Sequence, residues 1–256
     1  HSFSRRQRQM CIRDRRTVGL LFDLQGPSIR TGTLPEAFSL KEGDEVEFRC
    51  RDSEPRIPLS TTVNYSGIIE DVSEGDSLLV DNGSMIMRVN TIDEDRITCT
   101  VRTDGQLGSR RHINLPGVRL NLPALTEKDR ADIKLAAECD ADFIAGSFVR
   151  DGEHVRELRA EIEQSGGHAQ IISKLEDQEA IKHLDDIVQA SDLVMVARGD
   201  LGIEVHIEEL PIIQRRIVKR CHELGRRVIV ATHLLESMID NPTPTTVSYT
   251  HLTLPT

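Results

Sequence analysis

Tryptophan is absent from this chain, and aromatic residues make up only 3% of it. A stacking platform for single-stranded nucleic acid needs several such rings, so the composition argues against one. Positive charge is also in deficit: 32 Lys and Arg against 42 Asp and Glu leave a net charge of −10. Nucleic acid and anionic membranes both ask for basic surface, so neither is an expected partner. Any phosphate chemistry must then run on a few placed cations and metal ions. The cysteines are five (Cys11, Cys50, Cys99, Cys139, Cys221), odd in number and without a C-x-x-C pair. They fit neither a zinc framework nor a disulfide scaffold. Buried reduced thiols in a cytoplasmic protein are the expectation. No apolar run approaches the ~20 residues of a membrane span, and the stretch from His1 to Arg16 lacks the apolar core of a signal peptide. What remains, 38% apolar and 29% charged over 256 residues, is enough for one large domain or two smaller ones.

Two textures divide the sequence. From about Leu34 to Leu115, short β-type runs alternate with Gly and Asp turns. Phe38 to Phe48 runs around Glu42-Gly43-Asp44, and Gly67–Val72 and Leu78–Val80 flank Glu74-Gly75-Asp76. Asp81-Asn82-Gly83 turns into Met85–Val89, and Ile97–Val101 follows. Such spacing predicts a small sheet or barrel. From Leu122 onward strands and helices alternate. Thr126 can cap a helix running to about Glu138, with Asp129 three residues on. Strand Phe143–Phe148 precedes a helix whose face is Val155, Leu158 and Ile162. Strand Gln170–Lys174 precedes a helix with Ile181, Leu184, Ile187 and Val188. Strand Leu193–Ala197 leads through a Gly-containing loop to a helix with Leu210, Ile213, Ile217, Cys221 and Leu224. Val228–Ala231 is the last strand. A strand plus a covering helix repeats about every 30 residues, the unit of a doubly wound sheet or a (β/α)8 barrel. Val18–Phe22 belongs to the same system, so the β-rich segment is an insertion after it.

The polar residues cluster where strands end. Asp23 follows the first strand, Ser147 lies in the next, and Ser173, Lys174 and Glu176 close the third. Arg198-Gly199-Asp200 follows the fourth and Thr232 the fifth. In a barrel these edges share one face, the face on which such enzymes work. Residues i and i+2 of a strand point the same way, so Lys174 and Glu176 can meet. Taken alone, that pair is as readily a structural ion pair as a catalytic one. Glu176 and Asp200 supply two carboxylates from adjacent strand ends, which suits Mg²⁺. Gly199 and Gly202 allow a tight turn with exposed amides, and Asp185 and Asp186 are read as solvated helix residues. Arg30, Arg110 and Arg111 are basic residues beside Gly-containing turns, each, taken alone, more readily a surface residue than a functional one.

At this point the motifs resemble a known family. Asp23-Leu24-Gln25-Gly26-Pro27-Ser28-Ile29-Arg30-Thr31-Gly32, Ile113-Asn114-Leu115-Pro116-Gly117 and Leu122-Pro123-Ala124-Leu125-Thr126 resemble pyruvate kinases, in family order. So do Ile171-Ile172-Ser173-Lys174-Leu175-Glu176, Val196-Ala197-Arg198-Gly199-Asp200-Leu201-Gly202-Ile203-Glu204 and Ala231-Thr232-His233-Leu234-Leu235-Glu236-Ser237-Met238. The resemblance implies an α/β fold: part of a (β/α)8 TIM barrel with a small all-β barrel domain inserted as a lid. The expected boundaries are residues 1–16 a non-native leader, 17–33 a barrel strand and loop and 34–116 the lid. Residues 117–245 would be further barrel units and 246–256 a non-native tail. The implied reaction is phosphoryl transfer from phosphoenolpyruvate to ADP, giving pyruvate and ATP in glycolysis. Lys174 and Thr232 would be catalytic, and Ser147, Lys174, Gly199, Asp200 and Thr232 would bind the substrate. Glu176 and Asp200 would hold Mg²⁺ or Mn²⁺, and Asp23 is a candidate ligand for a monovalent cation. Arg30, Arg110 and Arg111 would face the nucleotide phosphates. Ser28 stands where the family's Glu goes with potassium dependence and its Lys with independence, so the use of K⁺ is open. The parent is expected to be a cytoplasmic homo-oligomer, a tetramer by resemblance, and the truncated chain itself inactive. A Mg²⁺-dependent lyase or aldolase acting on pyruvate enolates, and an inert fragment, are the rival readings.

Overall fold

The computed structural model describes residues 18–50, 53–206 and 208–232. The segments expected as leader and tail, Cys11, and everything from His233 onward lie outside them. In chain order the elements are β1 (Leu21–Asp23), β2 (Phe38–Leu40), β3 (Glu45–Arg49), β4 (Ser60–Thr62), α1 (Ile68–Asp71), β5 (Ser77–Val80), β6 (Met85–Ile92), β7 (Arg96–Val101), β8 (Gly105–Leu107) and β9 (Ile113–Asn114). There follow α2 (Glu127–Glu138), β10 (Phe143–Gly146), α3 (Gly152–Gln164), β11 (Gln170–Leu175), α4 (Gln178–Lys182), α5 (Leu184–Ala190), β12 (Leu193–Ala197), α6 (Arg198–Glu204), α7 (Leu210–Glu223) and β13 (Arg227–Ala231). The chain divides into two compact units. One holds the described residues up to Pro27, Ala124–Leu201 and those after 207; the other holds Ser28–Pro123 and Gly202–His206.

The first unit is a five-stranded, all-parallel sheet in the order β1-β10-β11-β12-β13. Parallel neighbours need a crossover; those between β10, β11, β12 and β13 are helical, while the one from β1 to β10 carries the β-rich segment before α2. Its βα repeats are the units of a (β/α)8 barrel, five strands' worth. The inner strands β10, β11 and β12 are short apolar runs largely buried on both faces, as parallel strands are, whereas the edge strands β1 and β13 are more exposed. Ile144, Ile171, Val194 and Val196 are fully buried, as are Val155, Leu158 and Ile162 of α3. On the other face Ala145, Ile172 and Leu193 pack with Phe143, Met195 and Ile229. Lys174 lies two residues beyond Ile172 and so shares that face.

Side chains fix the helix starts. The Thr126 hydroxyl accepts from the Asp129 N–H at 3.1 Å, and the Asp129 carboxylate accepts from the Thr126 N–H at 2.9 Å. This reciprocal box starts α2 where the sequence predicts. Asp151 and Asp177 cap α3 and α4 through the His154 and Ala180 amides. The segment read as one helix over Ile181–Val188 is two, α4 and α5, broken at His183. The expected loop after β12 is a helix, α6, pinned by Leu201, which is wholly buried.

The second unit is all-β apart from α1. Six strands form one sheet, β4-β3-β7-β6-β5-β9, and β2 pairs with β8. Its own core gathers Phe48, Ile68, Leu78, Met85, Met87, Ile97 and Leu107. The β5–β6 hairpin turns through Asp81, Asn82 and Gly83, all at positive φ, the residue types such turns require. Gly67–Val72, read as a strand, holds the single-turn helix α1 instead. Its apolar run is too short for periodicity to separate the two. Cys50, Cys99 and Cys221 are buried free thiols as expected, whereas Cys139 is only half-buried.

Candidate active site

Four of the five parallel strands deliver polar groups to one rim. Asp23 ends β1, Ser147 follows β10, Lys174 lies in β11 with Glu176 just beyond it, and Thr232 follows β13. Lys174 is the hub. Its Nζ lies 3.0 Å from Glu176 Oε1 and 3.2 Å from Asp23 Oδ1, and it donates to Ser147 Oγ at 2.8 Å. Ser147 in turn donates its hydroxyl proton to the Leu24 carbonyl at 2.7 Å, which leaves its lone pair aimed at the lysine. The i, i+2 spacing therefore does bring Lys174 and Glu176 together.

Burial sets the electrostatics. Glu176 is only 2% exposed, and desolvation pushes its carboxyl up to about 7. Lys174 opposes that rise, while the negative charge of Asp200 adds to it. Burial also disfavours the charge on Lys174, but Glu176 and Asp23 outweigh it and hold the ammonium above its ordinary range. Lys174 is thus a fixed cation. The second Glu176 oxygen, Oε2, accepts the Phe148 N–H at 2.6 Å.

Asp200 stands in the first turn of α6, and its field reaches Glu176. Two carboxylates that repel each other in a partly dry place are a donor set a divalent cation would relieve. Mg²⁺ asks for no more than one or two of them, completing its shell with water and substrate oxygens. Among the described residues no three His, Cys, Asp or Glu side chains come together to suggest a richer metal cage. Gly199, read as an open amide donor in a turn, instead gives its N–H to Thr232 Oγ1 at 2.9 Å. Thr232 itself has φ of 62°, a left-handed conformation that a β-branched residue keeps only under constraint.

The remaining expected residues fall differently. Arg30, Arg110 and Arg111 belong to the second unit. There the Arg30 guanidinium donates to the Arg110 carbonyl at 3.1 Å and to Ser28 Oγ at 3.2 Å. Arg111 pairs with Asp81 at 3.1 Å. Ser173, counted among the rim residues, is fully buried and bonds Ser191 Oγ at 2.6 Å, so it braces the strand instead. Asp185 and Asp186 are exposed helix residues as expected, and each also pairs at the surface, with Arg220 and Arg156. Sequence reasoning missed the Phe148 amide altogether, since a main-chain donor leaves no mark in residue type.

A parallel sheet of βα units whose strand ends gather one half-buried lysine among carboxylates defines a (β/α)-barrel enzyme with a polar rim. The family model for the pyruvate kinase barrel domain matches residues 3–253. The chain is 44% identical over 229 residues to "Plastidial pyruvate kinase 2" of Arabidopsis thaliana, an alignment covering 90% of this chain and 39% of that one. It is 43% identical over 242 residues to a pyruvate kinase of Geobacillus stearothermophilus, covering 93% and 41%. Against a pyruvate kinase of Clostridium perfringens the identity is 40% over 234 residues, covering 91% and 49%. The chain belongs to the pyruvate kinase family. It spans between about two-fifths and one-half of the length of these relatives.

Proposed function

We propose that the protein from which this chain comes transfers a phosphoryl group from phosphoenolpyruvate to ADP, giving pyruvate and ATP. The observation that carries this reading is the Lys174 ammonium, held between Asp23, Glu176 and Ser147 at the strand rim. Phosphoryl transfer asks the protein for positioning and for fixed positive charge where negative charge builds up. A half-buried lysine whose proton is secured by two carboxylates supplies that charge without reorganising. Lys174 would neutralise the transferring group and then the enolate left behind. Ser147 holds the ammonium in register. Thr232, fixed by the Gly199 amide, would present its hydroxyl to the enolate carbon's proton donor, a water. The α6 residues Gly199 and Asp200 would flank the substrate carboxylate.

Glu176 and Asp200 are the residues that would hold Mg²⁺ or Mn²⁺, which when bound adds positive charge for the phosphate and enolate oxygens. Asp23 remains the candidate for a monovalent cation, though one of its oxygens serves Lys174 here. Arg30 and Arg110, adjacent in the second unit, are proposed for the nucleotide phosphates, with Arg111. Residues 34–116, which make up most of that unit, are proposed as the lid, and residues 17–33, with Arg30, and 117–245 as barrel segments, in a homo-oligomer. Among the described residues no helix is long and apolar enough to cross a membrane. The cytoplasm is the proposed compartment, although some relatives are named plastidial.

The test is Mg²⁺-dependent ATP formation from phosphoenolpyruvate and ADP, in the chain extended to the length of its relatives. Lys174→Met should lower kcat at least ~100-fold while leaving the thermal midpoint within a few degrees. A folded, full-length wild-type protein without this activity would sink the reading and favour an enolate lyase. Turnover by the 256-residue chain itself, measured alongside, would overturn the expectation that it is inactive.

A further inference from the structure

The turn after β10 is wound against the preference of its residue. Phe148 has φ of 52°, a left-handed conformation that a bulky side chain keeps only where its surroundings over-determine it. Two contacts do so. On one side the Phe148 N–H donates to Glu176 Oε2 at 2.6 Å. On the other, Gly26 lies flat against the turn. A Cβ at Gly26 would come within 3.0 Å of both Cβ and the carbonyl oxygen of Ser147, and 3.3 Å of the Phe148 ring. Gly26 also has φ of 67°, so both space and backbone require glycine there.

Gly26 is anchored in its turn. Its N–H donates to Asp129 Oδ1 at 3.1 Å, and the other Asp129 oxygen is taken by the Thr126 N–H and hydroxyl. A continuous run of contacts therefore leads from the start of α2 through Gly26 and the Ser147–Phe148 turn to the Glu176 carboxylate. With Lys174 on Oε1 and the Phe148 amide on Oε2, neither oxygen of that carboxylate is free to rotate.

We propose that Phe148 is a positioning residue for the divalent cation, acting through its main-chain N–H on Glu176 and braced from behind by Gly26 and Asp129. This rests on the reading of Glu176 and Asp200 as the cation's ligands. A donor behind a ligating carboxylate fixes which lone pair faces the ion, and its loss typically weakens metal binding 10–100-fold. Because the donor is main chain, the ring can change while the amide cannot.

The decisive experiment replaces residue 148 with phenyllactic acid in the full-length protein, exchanging the N–H for an ester oxygen and keeping the ring. Mn²⁺ affinity is read from the free-ion EPR signal, alongside the thermal midpoint and separate kcat and KM values. The ester protein should bind Mn²⁺ at least ~10-fold more weakly than wild type. Phe148→Leu, which retains the N–H, should restore the affinity to within ~2-fold, since the supporting donor is back in place. Gly26→Ala, which presses on the turn without touching Glu176, should weaken Mn²⁺ binding in the same direction; if that variant does not fold, the ester and Leu proteins decide alone. An ester protein that binds Mn²⁺ as tightly as wild type overturns the proposal. So does a Phe148→Leu protein as weak as the ester, because the ring would then be responsible. Wild-type protein that binds no Mn²⁺ at all would overturn the ligand assignment itself.

Discussion

Lys174, half-buried, pairs with the buried Glu176, and Glu47 and Arg96 in the β unit form a pair buried on both sides; the two differ in how completely their partners surround them. Glu47 accepts from Ser60 at 2.7 Å, from Arg96 at 2.8 Å and from the Arg56 amide. Burial pushes its carboxyl up, but these donors outweigh burial and hold it below its ordinary range. Arg96 adds two bonds to Asp95 and one to the Glu54 carbonyl. A pair this thoroughly satisfied is structural, and removing one partner strands the other in the dry. Arg96→Ala should therefore lower the thermal midpoint of the β unit by at least ~12 °C, followed by the far-UV signal of its strands. His154 gives the pH counterpart. Burial, then the charge of Arg150, lowers its pKa below the ordinary 6.5, and its Nδ1 has no partner. The folded state thus binds fewer protons than the unfolded chain once pH drops below 6.5, so stability is lost as pH falls from there toward the folded pKa. Urea midpoints measured from pH 7.5 to 5 should decline less steeply in His154→Gln than in wild type; equal slopes would remove His154 from the account.

At the scale of elements, an acidic cap can do more than start a helix. Asp151 accepts the His154 amide and Asp177 the Ala180 amide, each from its own helix N-terminus. Asp129 accepts three donors and one of them, the Gly26 N–H, comes from the loop after β1. Asp151→Ala should then cost ~1 kcal/mol, the loss of an ordinary cap. Asp129→Ala should cost ~3 kcal/mol, because it also leaves buried donors unpaired. Denaturant titration of the two variants measures the gap, and equal losses would mean that Gly26 finds another acceptor. The cap itself was legible, since Thr126 and Asp129 stand in the right spacing before an apolar face. Its second role was not, because the partner lies 103 residues away. The same limit explains α6. Gly199 and Gly202 read locally as a turn, and what overrides them is tertiary: the burial of Leu201 and the Thr232 hydroxyl on the Gly199 amide. Strand-end lysine and carboxylates were legible because period two is a property of the strand alone. The amide of Phe148 was not, for the side chain that marks its position in the sequence is not the group that acts.

For the molecule as a whole, the division into two units carries a consequence that can be tested without the active site. Every strand of the β unit pairs within it, and its core, from Ile29 to Leu115, is its own. The two ends of the segment are also tied to each other. The Thr31 N–H donates to the Arg111 carbonyl at 2.9 Å and the Ile113 N–H to the Ile29 carbonyl at 2.9 Å, while Arg30 bridges His112. A segment whose entry and exit strands close on themselves loses little backbone hydrogen bonding when it is cut out. Residues 28–123 expressed alone should therefore fold, with dispersed amide resonances and one cooperative unfolding transition. The cut forfeits a bond at Asn114, whose Nδ2 donates to Glu204 Oε1 at 2.9 Å, since Glu204 lies beyond it. Asn114 is buried, and its Oδ1 already has no partner, so the excised unit should be destabilised there. Asn114→Leu should recover that loss in the excised unit, because an apolar group of similar size removes the unpaired atoms. A segment that stays unfolded with either residue would show that the β unit depends on the chain around it for more than a single bond.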